Sequence, residues 1–147
     1  MRILILGGTK FLGRAVVEAA RARGHELTLF NRGQQDPGAF PGVERLRGDR
    51  TLPASDPAGL GALAERSWDA VIDTAAYLPR DVRSATSALA GRTGHYTFVS
   101  SVSVLASAAV PGQNEESPVA RLTAQQRVEM DAIPIGETHC HFASVLS

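Results

Sequence analysis

The feature that most constrains this chain is its first glycine turn. The apolar run "RILIL", Arg2 to Leu6, stops at Gly7 and Gly8, and a helical pattern starts at Phe11. A short, wholly apolar run ended by glycines reads as a strand buried on both faces of a parallel sheet. From Phe11 to Arg23, Leu12, Ala15, Val16 and Ala19 recur at helical spacing, and Gly24 supplies the stop. A strand, a glycine turn and a helix in this order leave the helix's leading amides unpaired beside a turn open to a ligand. Those amides carry partial positive charge and suit a pyrophosphate. Read alone, two glycines could merely close a strand tightly. Their place between a strand and a helix, inside a strand–helix–strand unit, favours the phosphate cradle.

Strands and helices alternate along the rest of the chain. Strands are expected at Glu26–Phe30, Val43–Leu46, Ala70–Asp73 and Tyr96–Ser100, with helices from Asp56 to about Arg66 and from Pro79 to Leu89. Short alternating units predict an α/β fold: a Rossmann-type, doubly wound parallel sheet of strand order 3-2-1-4-5. Residues 1–120 read as a dinucleotide-binding domain and 121–147 as an irregular tail. The stretch from Ala106 to Gln126 reads as a loop with room for one helical turn.

In such a sheet, ligands bind where strand order reverses, beyond the strand ends. Gly7 permits the sharp turn, Gly8 follows it, and Gly13 lets the helix pack closely. Thr9, Lys10, Phe11 and Leu12 complete the cradle. Lys10 stands where a third glycine is expected. It obstructs backbone approach, but its ammonium can pair with a phosphate oxygen. It is also the single lysine among 15 basic residues. Strand 2 ends in "FNRG", Asn31 then Arg32, 24 residues after Gly7, with no carboxylate. A carboxylate there would grip the ribose hydroxyls of NAD, whereas a basic residue accommodates the 2′-phosphate of NADP. NADP is therefore preferred over NAD; the competing reading of Arg32 is a solvated turn residue. After strand 3, Asp49 can accept from the adenine amino group, and Arg50 can add a second cation near the 2′-phosphate or be an ordinary loop residue. After strand 4, Thr74, Ala75 and Ala76 are small enough for a cofactor to lie against them. Tyr77 either flanks the nicotinamide half or packs.

Taken together, "ILGGTKFLG", "GHELTLFNRG", "GDR", "DAVIDTAAY" and "YTFVSSVSVLA" resemble the NAD-dependent epimerase/dehydratase family of the extended short-chain dehydrogenase/reductase superfamily. More narrowly they resemble its atypical members with a "GGTxFLG" opening. The resemblance implies a nicotinamide cofactor and oxidoreductase or epimerase chemistry. It also implies a serine after strand 5 that binds the substrate carbonyl or hydroxyl, and a Tyr-x-x-x-Lys pair. Ser100, Ser101 and Ser103 occupy the serine region; Ser100 falls to the cofactor side, and Ser101 and Ser103 to the substrate. The pair is absent from this chain: no tyrosine follows Tyr96 and no lysine follows Lys10. "NEESPVAR", Asn114 to Arg121, still resembles the segment that precedes the tyrosine. Relative to the family, the chain reads as C-terminally truncated. Three readings follow: an enzyme lacking its acid/base pair, a non-catalytic nucleotide-binding or sensor module, or a truncated remnant.

Charge and composition narrow the partners. Fifteen acidic residues balance the fifteen basic ones, which argues against nucleic acid. No apolar run has the length of a membrane span. The sole cysteine, Cys140, forms no internal disulfide, consistent with a reducing, cytoplasmic setting. His139 and His141 flank it, but zinc sites need about four ligands at turn or helical spacing, and His25 and His95 fall at strand starts, so no metal site is expected. Strand 5 is expected to leave an unpaired edge, favouring self-association.

Overall fold

The computed structural model describes residues 1–52, 55–107 and 109–133. Two compact units divide the chain, Met1–Phe98 and Val99–Ser147.

The first unit holds β1 (Arg2–Leu6), α1 (Phe11–Ala22), β2 (Glu26–Asn31), β3 (Glu44–Arg47), β4 (Trp68–Asp73), α2 (Pro79–Ala88) and β5 (Thr93–Phe98), with a 3-10 turn at Leu60–Leu63. The five strands form one sheet in the expected order, β3-β2-β1-β4-β5, and every pairing is parallel. Register aligns Leu6 with both Phe30 and Asp73, and Asn31 with Arg47. The last residues of β1, β2, β3 and β4 thus share one edge of the sheet.

Alternation sends each strand's side chains to two cores. Ile3, Ile5, Leu27 and Leu29 pack with Val17 and Ala20 of α1 and with Phe40 on one face. Leu4, Leu6, Phe30, Trp68 and Val71 pack with Leu60, Leu63, Ala85 and Leu89 on the other. Burial on both faces is why β1 reads as an unbroken apolar run. Helix α1 presents Gly13, Val17 and Ala20 inward, and Gly24, at φ 71°, turns the chain out of it.

Several expected boundaries move. Strand β4 begins at Trp68 and β5 at Thr93, because pairing starts at the Trp68–Thr93 register and β5 ends at Phe98, before the serines. His95 therefore lies inside β5 rather than at its start. The helix expected from Asp56 to Arg66 shrinks to the 3-10 turn. Asp56 accepts hydrogen bonds from the amides of Ala58 and Gly59, which closes a turn, and Gly59 and Gly61 weaken any helix beyond it.

The second unit contains a 3-10 turn at Val102–Val104, an isolated bridge between Leu105 and Val119, and α3 (Ala124–Ala132). Helix α3 corrects the expectation of an irregular tail. Thr123 accepts a hydrogen bond from Gln126 N, and Gln126 Oε1 accepts one from Thr123 N, a reciprocal capping box that starts the helix. His139, Cys140 and His141 lie outside the described residues.

Candidate functional site: a glycine corner at the head of the sheet

The corner is built by close packing. Gly7 and Gly8 have φ of 102° and 88°, a region closed to most side chains. A β-carbon on Gly8 would lie 3.0 Å from Leu29 and 3.3 Å from Val17, inside the α1 core. β-Carbons on Gly7 and Gly13 would stand 2.8 and 2.9 Å from one atom, Thr74 Oγ1. Thr74 Oγ1 itself donates to Leu6 O at 3.0 Å. Thr74 is thus a wedge between turn and helix rather than a surface for a ligand to lie on. Ala75 and Ala76 beside it are half-buried, and Tyr77 is exposed.

Helix α1 starts without a cap. Lys10 occupies the N-cap position with an extended backbone, makes no side-chain cap, and no acidic residue stands in the first turn. The leading amides and the positive end of the helix dipole therefore meet no protein anion, which suits an external one. Thr9 is half-buried, while Lys10, Phe11 and Leu12 are exposed, so the lysine side chain does not fill the corner. Phe11 holds a left-handed φ of 40° and is 96% exposed. An uncapped row of donors framed by glycines and one exposed ammonium fits a diphosphate.

Asn31 proves to be a brace. Its Nδ2 donates to Gly7 O and its Oδ1 accepts from Gly33 N, both at 2.9 Å, tying the end of β2 to the glycine turn. Arg32, next to it, is exposed. Asp49 Oδ1 accepts from Thr51 N and Thr51 Oγ1, leaving Oδ2 without a partner among the described residues. Burial pushes the Asp49 carboxyl up, but the Thr51 hydrogen bonds and the nearby charge of Arg32 hold it below the usual range. It stands ionised, an acceptor beside the strand ends.

Arg50 does not join that corner. Its guanidinium donates to both oxygens of Asp73, at 2.7 and 2.9 Å, and to Asp81 O at 2.9 Å. The expectation of a second cation at the adenosine end fails for this residue, because a bidentate carboxylate claims it. Asp73 is fully buried and also accepts from Tyr96 Oη at 2.6 Å and from Ala75 N at 3.0 Å. Asp81 accepts the amides of Tyr77 and Leu78. The loops after β3 and β4, the start of α2, and β5 are thereby tied to one carboxylate. Burial works against the Arg50 charge, but Asp73 more than offsets it and raises the guanidinium pKa. Burial first, then Asp73, pushes the Tyr96 phenol well above its ordinary range, with Arg50 opposing. Tyr96 is therefore a fixed donor and unsuited to proton transfer near neutrality. Sequence reading missed this knot. Its one signal was Asp73, an aspartate closing the apolar run Ala70–Ile72 of β4.

In the second unit, Ser100, Ser101 and Ser103 are exposed. Ser101 Oγ accepts from Ser103 N at 3.3 Å, capping the 3-10 turn, and donates to Ser103 Oγ at 3.2 Å.

With this geometry stands a direct match over residues 3–126 to the NAD dependent epimerase/dehydratase family. The chain belongs to that family. Among individual members, it is 43% identical over 49 residues to the cattle (Bos taurus) epimerase family protein SDR39U1, covering 33% of this chain and 14% of that protein. A crystal structure of UDP-galactose 4-epimerase superposes with a TM-score of 0.61 at 24% identity, over 84% of this chain and 46% of that one. The Bordetella bronchiseptica enzyme WbmG, solved in complex with NAD, superposes at 0.66 and 18% identity, over 82% of this chain and 44% of that one. These superpositions show the fold. The matched part of this family member covers about half of those solved chains, 46% and 44%.

Proposed function

We propose that this epimerase/dehydratase family member is a nicotinamide dinucleotide-binding protein that prefers NADP to NAD. The observation that carries the reading is the uncapped start of α1 behind Gly7, Gly8 and Gly13. The amides of that turn would hold the diphosphate, with Lys10 adding charge. Arg32 would stand at the adenosine 2′-phosphate, and Asp49 Oδ2 would accept from the adenine amino group. Ala75, Ala76 and Tyr77 would border the nicotinamide half, and Ser100, Ser101 and Ser103 would serve the cofactor and substrate ends of the strand-5 region. When bound, a nicotinamide supplies hydride transfer. The residues of this chain bind and orient it, but they do not supply the Tyr-x-x-x-Lys relay. The substrate class suggested by the family is a nucleotide sugar or small carbonyl compound.

Loss of a positioned acid/base costs about 10²–10⁴-fold in rate. We therefore expect the purified chain to bind NADPH, read as enhanced nicotinamide fluorescence, with turnover near background on sugar nucleotides and small carbonyls. Binding to neither NADPH nor NADH would end the proposal; rapid turnover would end the non-catalytic version of it.

A cytoplasmic location rests on the cysteine usage alone, although no helix among the described residues is long and apolar enough to cross a membrane. Among the described residues β5 pairs with β4 alone in the five-stranded sheet, which supports self-association through its outer edge. A monomeric mass by light scattering would contradict it.

A further inference from the structure

We propose that Arg47, together with Arg32, forms the receptor for the adenosine 2′-phosphate and so sets the preference for NADP. The inference rests on the dinucleotide reading above and supplies the second cation that Arg50 does not provide.

Arg47 ends β3 directly opposite Asn31, and Gly48 N donates to Asn31 O, so the ends of β2 and β3 are locked side by side. Leu46 packs into the core on the α2 face of the sheet. Alternation sends Arg47 to the other face, the one α1 covers. There its side chain lies across Gly33: a β-carbon on Gly33 would come within 3.0 Å of Arg47 Nε and 3.5 Å of Cζ. Gly33 holds a φ of 72°, and its amide is fixed by Asn31 Oδ1. The residue after Arg32 is therefore bare of side chain where the Arg47 guanidinium crosses it. The Arg47 guanidinium thus lies against the residue that follows Arg32, beside the braced glycine corner, and the charge of Arg32 acts on Asp49 next to Arg50.

The neighbouring arginines are engaged elsewhere. Arg45 donates to the carbonyls of Asp36, Pro37 and Ala39, and Arg50 to Asp73. Arg47 and Arg32 are exposed, and neither guanidinium makes a hydrogen bond or salt bridge among the described residues; Arg32 acts on Asp49 through its charge alone. The Arg47 guanidinium at the end of β3, and that of Arg32 after β2, present forked donors to an anion. A phosphate monoester, with up to two negative charges and three acceptor oxygens, matches them better than a pair of ribose hydroxyls.

The test is a titration of the full chain with NADPH and with NADH, for wild type, Arg47→Ala, Arg32→Ala and, as a charge control away from the corner, Arg66→Ala. Losing a charge-assisted hydrogen bond to the phosphate should weaken NADPH binding by Arg47→Ala about 10- to 100-fold. NADH binding should stay within about twofold, as for a surface substitution. Arg66→Ala should leave both unchanged. The proposal is overturned if Arg47→Ala leaves the NADPH-to-NADH ratio intact, weakens both equally, or if wild type binds NADH as well as NADPH. Wild type binding neither nucleotide would instead bring down the dinucleotide reading, and this inference with it. Melting curves of Arg47→Ala should match wild type, since the side chain is exposed.

Discussion

At the scale of single residues, the Thr74 hydroxyl sets how closely the glycine turn, α1 and β4 approach. It sits within 3 Å of the places where β-carbons on Gly7 and Gly13 would be, while hydrogen-bonded to Leu6 O. Gly13 does not need an unusual φ; it needs the space. Gly13→Ala should therefore destabilise by overpacking, about 1–3 kcal/mol by urea unfolding. Part of that loss should disappear when Thr74→Ala is combined with it, since the clash with Oγ1 is then gone. Contact with the Gly8 backbone at 3.0 Å remains, so recovery should be incomplete. Gly7→Ala should show no comparable rescue, because its φ of 102° is strained whatever Thr74 becomes. Full additivity of Gly13→Ala and Thr74→Ala would refute the wedge.

Among elements, the Arg50–Asp73–Tyr96 knot is what fixes the loops around the site. Removing one partner of a buried ion pair leaves the other uncompensated, so Asp73→Ala should cost about 3–5 kcal/mol. Tyr96→Phe removes one hydrogen bond and should cost about 0.5–1.5 kcal/mol. The same bond gives a pH signature. The Tyr96 phenol is raised in the folded state, so its contribution is fully present below the unfolded value of about 10 and is lost as pH climbs toward the folded one. Urea unfolding of wild type should thus lose stability above about pH 10 relative to Tyr96→Phe, and a constant difference up to pH 11 would contradict the bond. This knot also marks the limit of what sequence alone reveals. Strand order and the glycine corner were legible because local patterns encode them: an apolar run, a turn, a helical period. Arg50 was misassigned because its partner lies 23 residues away on another strand. Arg47 went unnoticed because only the β2–β3 register brings it to Gly33. Helix α3 was legible in principle, since Thr123 and Gln126 spell a capping box, but its weak apolar period hid it.

Across the whole molecule, burial is divided unevenly. Every buried apolar side chain among the described residues except Met130 belongs to Met1–Phe98. Helix α3 has nine residues, short of the length at which a helix is stable in water without packing. Local opening free energy follows buried apolar contact, so amide hydrogen exchange should separate the units. The amides of β1, β2 and β4 should be the slowest, close to the global unfolding limit, and those of α3 should exchange orders of magnitude faster. A bound dinucleotide stabilises only the states that bind it, by about 2.7 kcal/mol at a hundredfold excess over its Kd. Saturating NADPH should accordingly slow exchange in β1, β2 and β4 by about two orders of magnitude, and raise protection at Gly7–Gly13 and Asn31–Gly33. Unchanged exchange in β1 under saturating nucleotide would mean that binding is not linked to the sheet, and the corner at its head would then not be where the nucleotide sits.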